Sequence, residues 1–597
     1  MHRRRLLQAS AAAAWATPVR AAAAPRTLRV AFHIAETGFD PPQVSDESSG
    51  RVNAHIFEAP LSYDHLARPA RLVPLTAAAL PEISADFRRF VFTTRPGIFF
   101  SDDPVFAGRP RELVAADYVC SLKRYYDPKI HTEHLYQFET AKILGLSELR
   151  RRVIQARTPF PYDAEVEGLR VLDRYRFEVR LADPAPRFAY LFATTNFAGA
   201  LAREVVEAYA HDLMAHPVGT GPFMLQQWRR GSRIVLVRNP RFREQIYSAE
   251  PPVDDADAQA VATAMRGRRL PLLDRVEIDI IEEDQPRWLA FLGGQHDVIS
   301  PLPPEFASLA VPGGRLAPYL EHRGVQLHRT LTAATALTFI NCEDRLIGGY
   351  APEKVALRRA VALAYDSALD IRLVLQDQAL PAQQMIPPHC YGHDPALRSE
   401  MGEASLARAN ALLDTYGYAD RNRDGYRERP DGTPLTLRLA HTPDQRARRK
   451  SELWNKRMRA AGLRIEFEVA PFGELIRRDL AGQLMMWSYI WSAGNPDGDF
   501  YLGLAYGPNA DQSNDARFRL PAFDRLYERQ RVLPDGPERL RLMHDAQRLM
   551  LAWVPYLVHN HPYANDLMHA HVHGHRRHPF VNDWWRYAGV DIVPGPG

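Results

Sequence analysis

Val218-Gly219-Thr220-Gly221-Pro222-Phe223, followed by Trp228, Gly231 and Ile234-Val235-Leu236-Val237-Arg238-Asn239-Pro240, is the stretch whose reading decides the fold. Two glycines flank a threonine and a proline follows, which sets a tight turn. The run 234–237 is apolar and largely β-branched, as a buried strand requires, and Asn-Pro ends it. The text therefore predicts turn, strand, turn, strand.

The same grammar continues on both sides. Leu28 to Ile34 is an apolar run that predicts a first strand, and Glu36-Thr37-Gly38-Phe39-Asp40-Pro41-Pro42 reads as the loop after it. Phe177, Val179 and Leu181 alternate with Glu178 and Arg180, and Val276, Ile278 and Ile280 alternate with Glu277 and Asp279. Both have the period of two of half-buried strands. Leu357, Val361, Ala364, Tyr365 and Ala368 recur at three and four residues, which predicts an amphipathic helix over 355–368. Strands and helices interleave, so the class is mixed α/β.

At 597 residues the chain exceeds the size at which one core keeps growing, and two or more lobes are expected. Its 46% hydrophobic and 24% charged residues are those of an ordinary globular protein. The formal charge of +4 misleads. Arg3, Arg4, Arg5 and Arg20 lie in the first 24 residues, which hold no acid, so the rest of the chain is neutral. Attraction to nucleic acid or an anionic membrane is not indicated.

Arg3-Arg4-Arg5-Leu6-Leu7-Gln8, an alanine-rich run to Ala16, and Ala21 to Ala24 resemble a twin-arginine export peptide with small-residue cleavage positions. Residues 1–24 are therefore expected to be removed. With no cysteine near that point, the mature protein is expected to be periplasmic and soluble, without a lipid anchor. Cys120, Cys342 and Cys390 are too few for a disulfide framework and have no zinc spacing.

The ordered set at 218–240, with the helix text Leu357 to Asp366, closely resembles the signature of extracellular solute-binding family 5, the large oligopeptide- and dipeptide-binding proteins. The resemblance covers the chain from about residue 26 to Trp584-Trp585-Arg586-Tyr587. It implies a two-lobed clamshell with an extra subdomain in the first lobe. The expected division is lobe I over 25–330 with the subdomain at about 60–215, lobe II over 331–559, and a return to lobe I over 560–597. It also implies a periplasmic component of an ABC importer that binds without catalysis or cofactor. Its expected partners are a peptide-like solute and permease subunits, with no nucleic acid, and the protein is expected to be a monomer.

The expected ligand wall is Thr37, Gly38 and Phe39 from the first lobe with Asn341, Tyr489, Trp491, Gly494, Asn495 and Asp497 from the second. Trp491 matches the tryptophan of the family's Trp-x-Ala-Asp segment. The family's aspartate, which in peptide binders holds the ligand ammonium, falls on Gly494. Glycine cannot neutralise a buried ammonium, so an amine-free solute is an alternative cargo. A metal chelate is another, because His569, His571, His573, His575 and His578 crowd together and alternate histidines share one face of a strand. Asp420-Arg421-Asn422-Arg423-Asp424-Gly425 has the spacing of half a calcium loop, but Asp431 stands where a bidentate glutamate is needed. A structural turn is the reading there. No nucleophile elbow, HExxH or P-loop is present, which leaves an exported hydrolase as a remote alternative.

Overall fold

The computed structural model describes residues 24–510 and 512–591. The export segment lies outside them except for Ala24. A twelve-stranded sheet forms the frame. In chain order its strands are β1 (Thr27–Phe32), β2 (Phe223–Arg229), β3 (Arg233–Arg238), β4 (Arg275–Ile280), β5 (Val298–Ile299), β6 (Gln326–Leu331), β7 (Ala334–Ile340), β8 (Ala379–Pro381), β9 (Thr436–His441), β10 (Arg464–Val469), β11 (Met486–Ser492) and β12 (Tyr556–Met568). Four helices bear on the site: α1 (Glu47–Ile56), α2 (Ser367–Leu373), α3 (Gln445–Ala460) and α4 (Pro537–Trp553).

The strand order is β10-β9-β11-β7-β12-β5-β1-β4-β3-β2, with β6 and β8 also pairing to β12. β12 joins the two halves. Its start pairs with β7, from Tyr556 opposite Phe339, and its end pairs with β6, from Tyr563 opposite Leu331 to Met568 opposite Gln326. Between these, Thr332 donates from N and Oγ1 to the Pro562 carbonyl at 3.0 and 2.8 Å. Proline cannot donate to a ladder, so a donor is missing from the sheet where the chain crosses between halves. Separate hydrophobic cores flank that point, one set drawn from residues 28 to 327 with the C-terminal segment, the other from 333 to 557. The core between Ala59 and Val218 packs against its own four-stranded sheet.

The glycine motif at 218–223 has a steric cause. A Cβ on Gly219 would lie 2.0 Å from the Ile56 carbonyl oxygen, and one on Gly221 would lie 2.5 Å from that of His55. The turn thus closes on the C-terminal carbonyls of α1, where only glycine fits. Gly221 N–H donates to Ile56 O at 2.8 Å, and Asn239 Nδ2, just past the second strand, donates to Gly221 O at 2.9 Å. Thr220 donates to the fully buried Glu58, which Arg243 and Arg586 neutralise.

Two local expectations need correction. The helix predicted over 355–368 runs from Pro352 to Ala364; Asp366 then caps α2 by accepting from Leu369 N at 2.9 Å. The cap's hydrogen bond competes with helix continuation. Glu178, expected on the outer face, is buried between Arg89 and Arg180.

Candidate functional site

The second half of the sheet ends, on the side facing the first half, in an incomplete strand edge. β11 pairs with β7 throughout, from Ala334 opposite Ser492 to Ile340 opposite Met486. Its other edge is covered by β9 only at Met486 and Trp487. Ala493 N–H bonds Ala333 O at 2.9 Å, so the antiparallel alternation turns the main-chain groups of Ile490 and Ser492 toward the uncovered side. Beside that edge lies a cavity of about 400 Å³, lined by Ile490, His441, Asp370, Lys450 and Trp454 and bordered by Pro304 from the first half. A smaller cavity, about 210 Å³, opens between the start of α1 and the segment 580–583.

Near the end of β11, Trp491 is half-buried and stacks on Phe500 with centroids 5.5 Å apart. Its buried Nε1–H has no protein partner among the described residues. Gly494 is exposed, and a Cβ placed on it meets nothing within 4 Å. Asn495 Oδ1 accepts from Asp497 N at 3.0 Å and shapes the loop.

The remaining expected wall residues are engaged elsewhere. Phe39 is fully buried against Trp228, with centroids 4.9 Å apart, and belongs to the core rather than to a ligand wall. Gly38 is buried against Met214; Thr37 is exposed and donates to Asp46 at 2.6 Å. Asn341 stands at the opposite end of β7 from the crossing point, where it donates to Gly482 O and Leu484 O, both at 3.1 Å. The Tyr489 hydroxyl donates to Asp515, whose carboxyl burial pushes up to about 6.

Asp497 cannot receive a ligand ammonium. It is 3% exposed and takes both arms of the fully buried Arg539 of α4, at 2.6 and 2.8 Å. Burial, and then Asp497 itself, raise the neighbouring Asp499. From the first half, Arg187 completes this cluster: it donates to Leu533 O at 2.7 Å and to Arg531 O, and stands 3.7 Å from Asp497. Arg187, Arg539, Lys450 and Asp370 were all missed by sequence reasoning. They lie on elements far apart in the chain, and none sits in a motif.

The histidine cluster disperses. His569 bonds the Phe291 carbonyl, His571 bonds Asp297, and His575 bonds the buried Asp566. His573 faces Arg268, and His578 is buried beside Tyr63. Only β-alternation in one continuous strand would have aligned them, and the chain here is a two-residue strand followed by turns. Asp420, Asp424 and Glu428 do approach within 4.8 Å. They hold Gly425 N–H, the Arg464 guanidinium and Arg421 N–H respectively, which makes the segment a braced turn. The three cysteines are unbridged.

The residues from 71 to 513 match the bacterial extracellular solute-binding proteins, family 5 Middle. This chain belongs to that family. Di/tripeptide-binding protein 2 of Pseudomonas aeruginosa is 26% identical over 578 residues, 95% of each chain. Heme-binding protein A of Haemophilus influenzae is 22% identical and covers 85% of this chain and 83% of its own. Two solved structures share the fold. One is a periplasmic binding protein of Helicobacter pylori in complex with the peptide STSA, with TM-score 0.71, 18% identity and 95% and 98% of the two chains covered. The other is a dipeptide-binding protein of Pseudoalteromonas in complex with Met-Leu, with TM-score 0.70, 19% identity, and 95% and 100% covered. The family 5 fold is thus the two-lobed periplasmic binding-protein architecture expected from the sequence, and the family is one of solute binders rather than enzymes.

Proposed function

We propose that this family 5 protein is the periplasmic substrate-binding component of an ABC importer and that it binds short peptides or peptide-like solutes without changing them. The observation that carries the reading is the uncovered edge of β11 beside the 400 Å³ cavity. Main-chain groups of Ile490 and Ser492 can pair with an extended solute as an added strand, while the cavity takes a side chain or chain end. Trp491 offers a rigid stacking face. The peptide ligands of the similar proteins support the same cargo class.

In this reading the lobes are 25–330 and 331–559 with a return over 560–597, and the subdomain spans about 60–215. Closure bends the chain at Thr332 and Pro562. The solute drives it only through its preference for the closed form, in which Arg187 reaches across to Leu533 and Asp497. The basic, alanine-rich first 24 residues support export to the periplasm, where the closed monomer presents itself to permease subunits. No described helix is long and apolar enough to cross a membrane. The test is native mass spectrometry of protein taken from the periplasm, followed by calorimetric titration of the co-purifying solute. A bound peptide returned intact supports the reading; a hydrolysed peptide or a purely metallic cargo refutes it.

A further inference from the structure

Charges of opposite sign meet where the two halves approach each other at the mouth of the 400 Å³ cavity. The first half brings acids. Glu305 is exposed on the single turn Pro304–Phe306, and Pro304 itself borders the cavity. Beside Glu305 stands Asp284, at the start of the helix Asp284–Leu292, with the exposed Glu282 and Glu283 just ahead of it in the chain. Arg287 pairs with Asp284. Among the described residues no ion pair engages Glu282, Glu283 or Glu305, so this lip is acidic.

The second half answers with a basic lip. α3 carries seven cations and one acid, Glu452. Its Arg446 is exposed, lines the cavity that Pro304 borders, and makes no ion pair among the described residues. The amino end of this sixteen-residue helix adds partial positive charge. Asp444 offsets part of it by capping the helix, accepting from Ala447 N at 2.9 Å. Lys450, one turn further along, is offset by Asp370. Arg446 is therefore the cation left over at the mouth. Burial and the bond with Asp284 raise the Glu305 carboxyl, and the attraction of Arg446 opposes that rise, so the two side chains sense each other across the gap.

We propose that Arg446 and Glu305 form an electrostatic catch across the mouth of the cleft, a pair of positioning residues that holds the lobes together over an enclosed solute. The proposal rests on the reading of the β11 edge as the solute site and adds a second attraction between the lobes besides the Arg187 bonds. The two side chains are exposed and not in direct contact, so the attraction biases closure without locking it. It is also screened by salt, as an attraction through water must be.

The test uses the full mature chain, its E305R and R446E variants and the E305R/R446E double variant. Each is measured by small-angle scattering without solute and by calorimetry with Met-Leu, at low and at high salt. Either single variant sets like charges face to face, and is expected to bind Met-Leu roughly three- to tenfold more weakly and to show a larger radius. The double variant restores opposite charges and should return both values to those of the wild type. R448E makes the same charge change at an exposed position of α3 outside the cavity lining, and should alter neither value. High salt should bring the wild type toward the single variants. A double variant no better than the singles, or singles that match the wild type in radius and affinity, overturns the catch. Failure of the wild type to bind Met-Leu overturns the peptide reading alone, because the scattering comparison still decides the catch.

Discussion

Replacing Gly494 by aspartate should convert this protein into a better binder of free-amine peptides. The backbone there is not in the left-handed region, and a Cβ has open space on every side, so the carboxylate enters without displacing anything. The fold should lose less than about 0.5 kcal/mol, as for other surface substitutions. For the gain, an exposed ion pair is worth about 0.2–1 kcal/mol, whereas a charge-assisted hydrogen bond shielded from water is worth about 1.5–3 kcal/mol. Gly494 is exposed in the empty chain, and a seated solute would itself cover it. The expected gain is therefore about 1.5 kcal/mol, roughly tenfold in Kd. Isothermal titration of Met-Leu and of N-acetyl-Met-Leu into both proteins measures it. Only the free-amine peptide should improve. An equal gain for the acetylated peptide, or no gain for either, would refute the idea that the solute's amine end lies against this loop.

Three further outcomes come from the same geometry. Arg539→Met strands Asp497 beside Asp499 with only Arg187 nearby, so urea unfolding should show a loss of about 3–5 kcal/mol, as for one partner removed from a buried pair. If the lobes open and close as proposed, Arg187→Met should leave stability nearly unchanged but weaken peptide binding roughly tenfold, because its bonds to Leu533 and Arg531 would then belong to the closed form; small-angle scattering of the liganded variant should report a larger radius, and an unchanged Kd would count against the latch. Burial lowers His55 and His65 to about 3 and His561 to about 4, so the native state stays unprotonated where the unfolded chain takes up protons. Their contribution is complete above pH 6.5 and declines as pH falls toward those values, by about 1.4 kcal/mol per unit for each; stability that is flat from pH 7 to 5 would contradict it.

Family and architecture were legible in the chain for a local reason. Gly219 and Gly221 are set by a close approach to α1 that leaves no room for a Cβ, and Asn239 bonds the same turn, so the three appear as a compact motif. The alternation at 275–280 was readable because a strand writes its two faces directly into the sequence, whereas at 176–180 the period located the strand but not the burial of Glu178 between two arginines. The departure at Gly494 was equally plain, since it is a missing side chain at a matched position.

The cavity was not readable from any such pattern. Asp370, Lys450 and the β11 edge come from three stretches that touch only after the sheet has formed, and a lysine on a helix looks the same in sequence whether it faces water or a cavity. Sequence also assigned Phe39, Asn341 and Asp497 to the ligand because their types suit recognition. Packing against Trp228, the carbonyls at 482 and 484, and Arg539 takes each of them first. Turn chemistry and strand period are properties of neighbouring residues, and they follow from the chain. Which polar groups remain free for a solute depends on partners hundreds of residues away, and that follows from tertiary contacts alone.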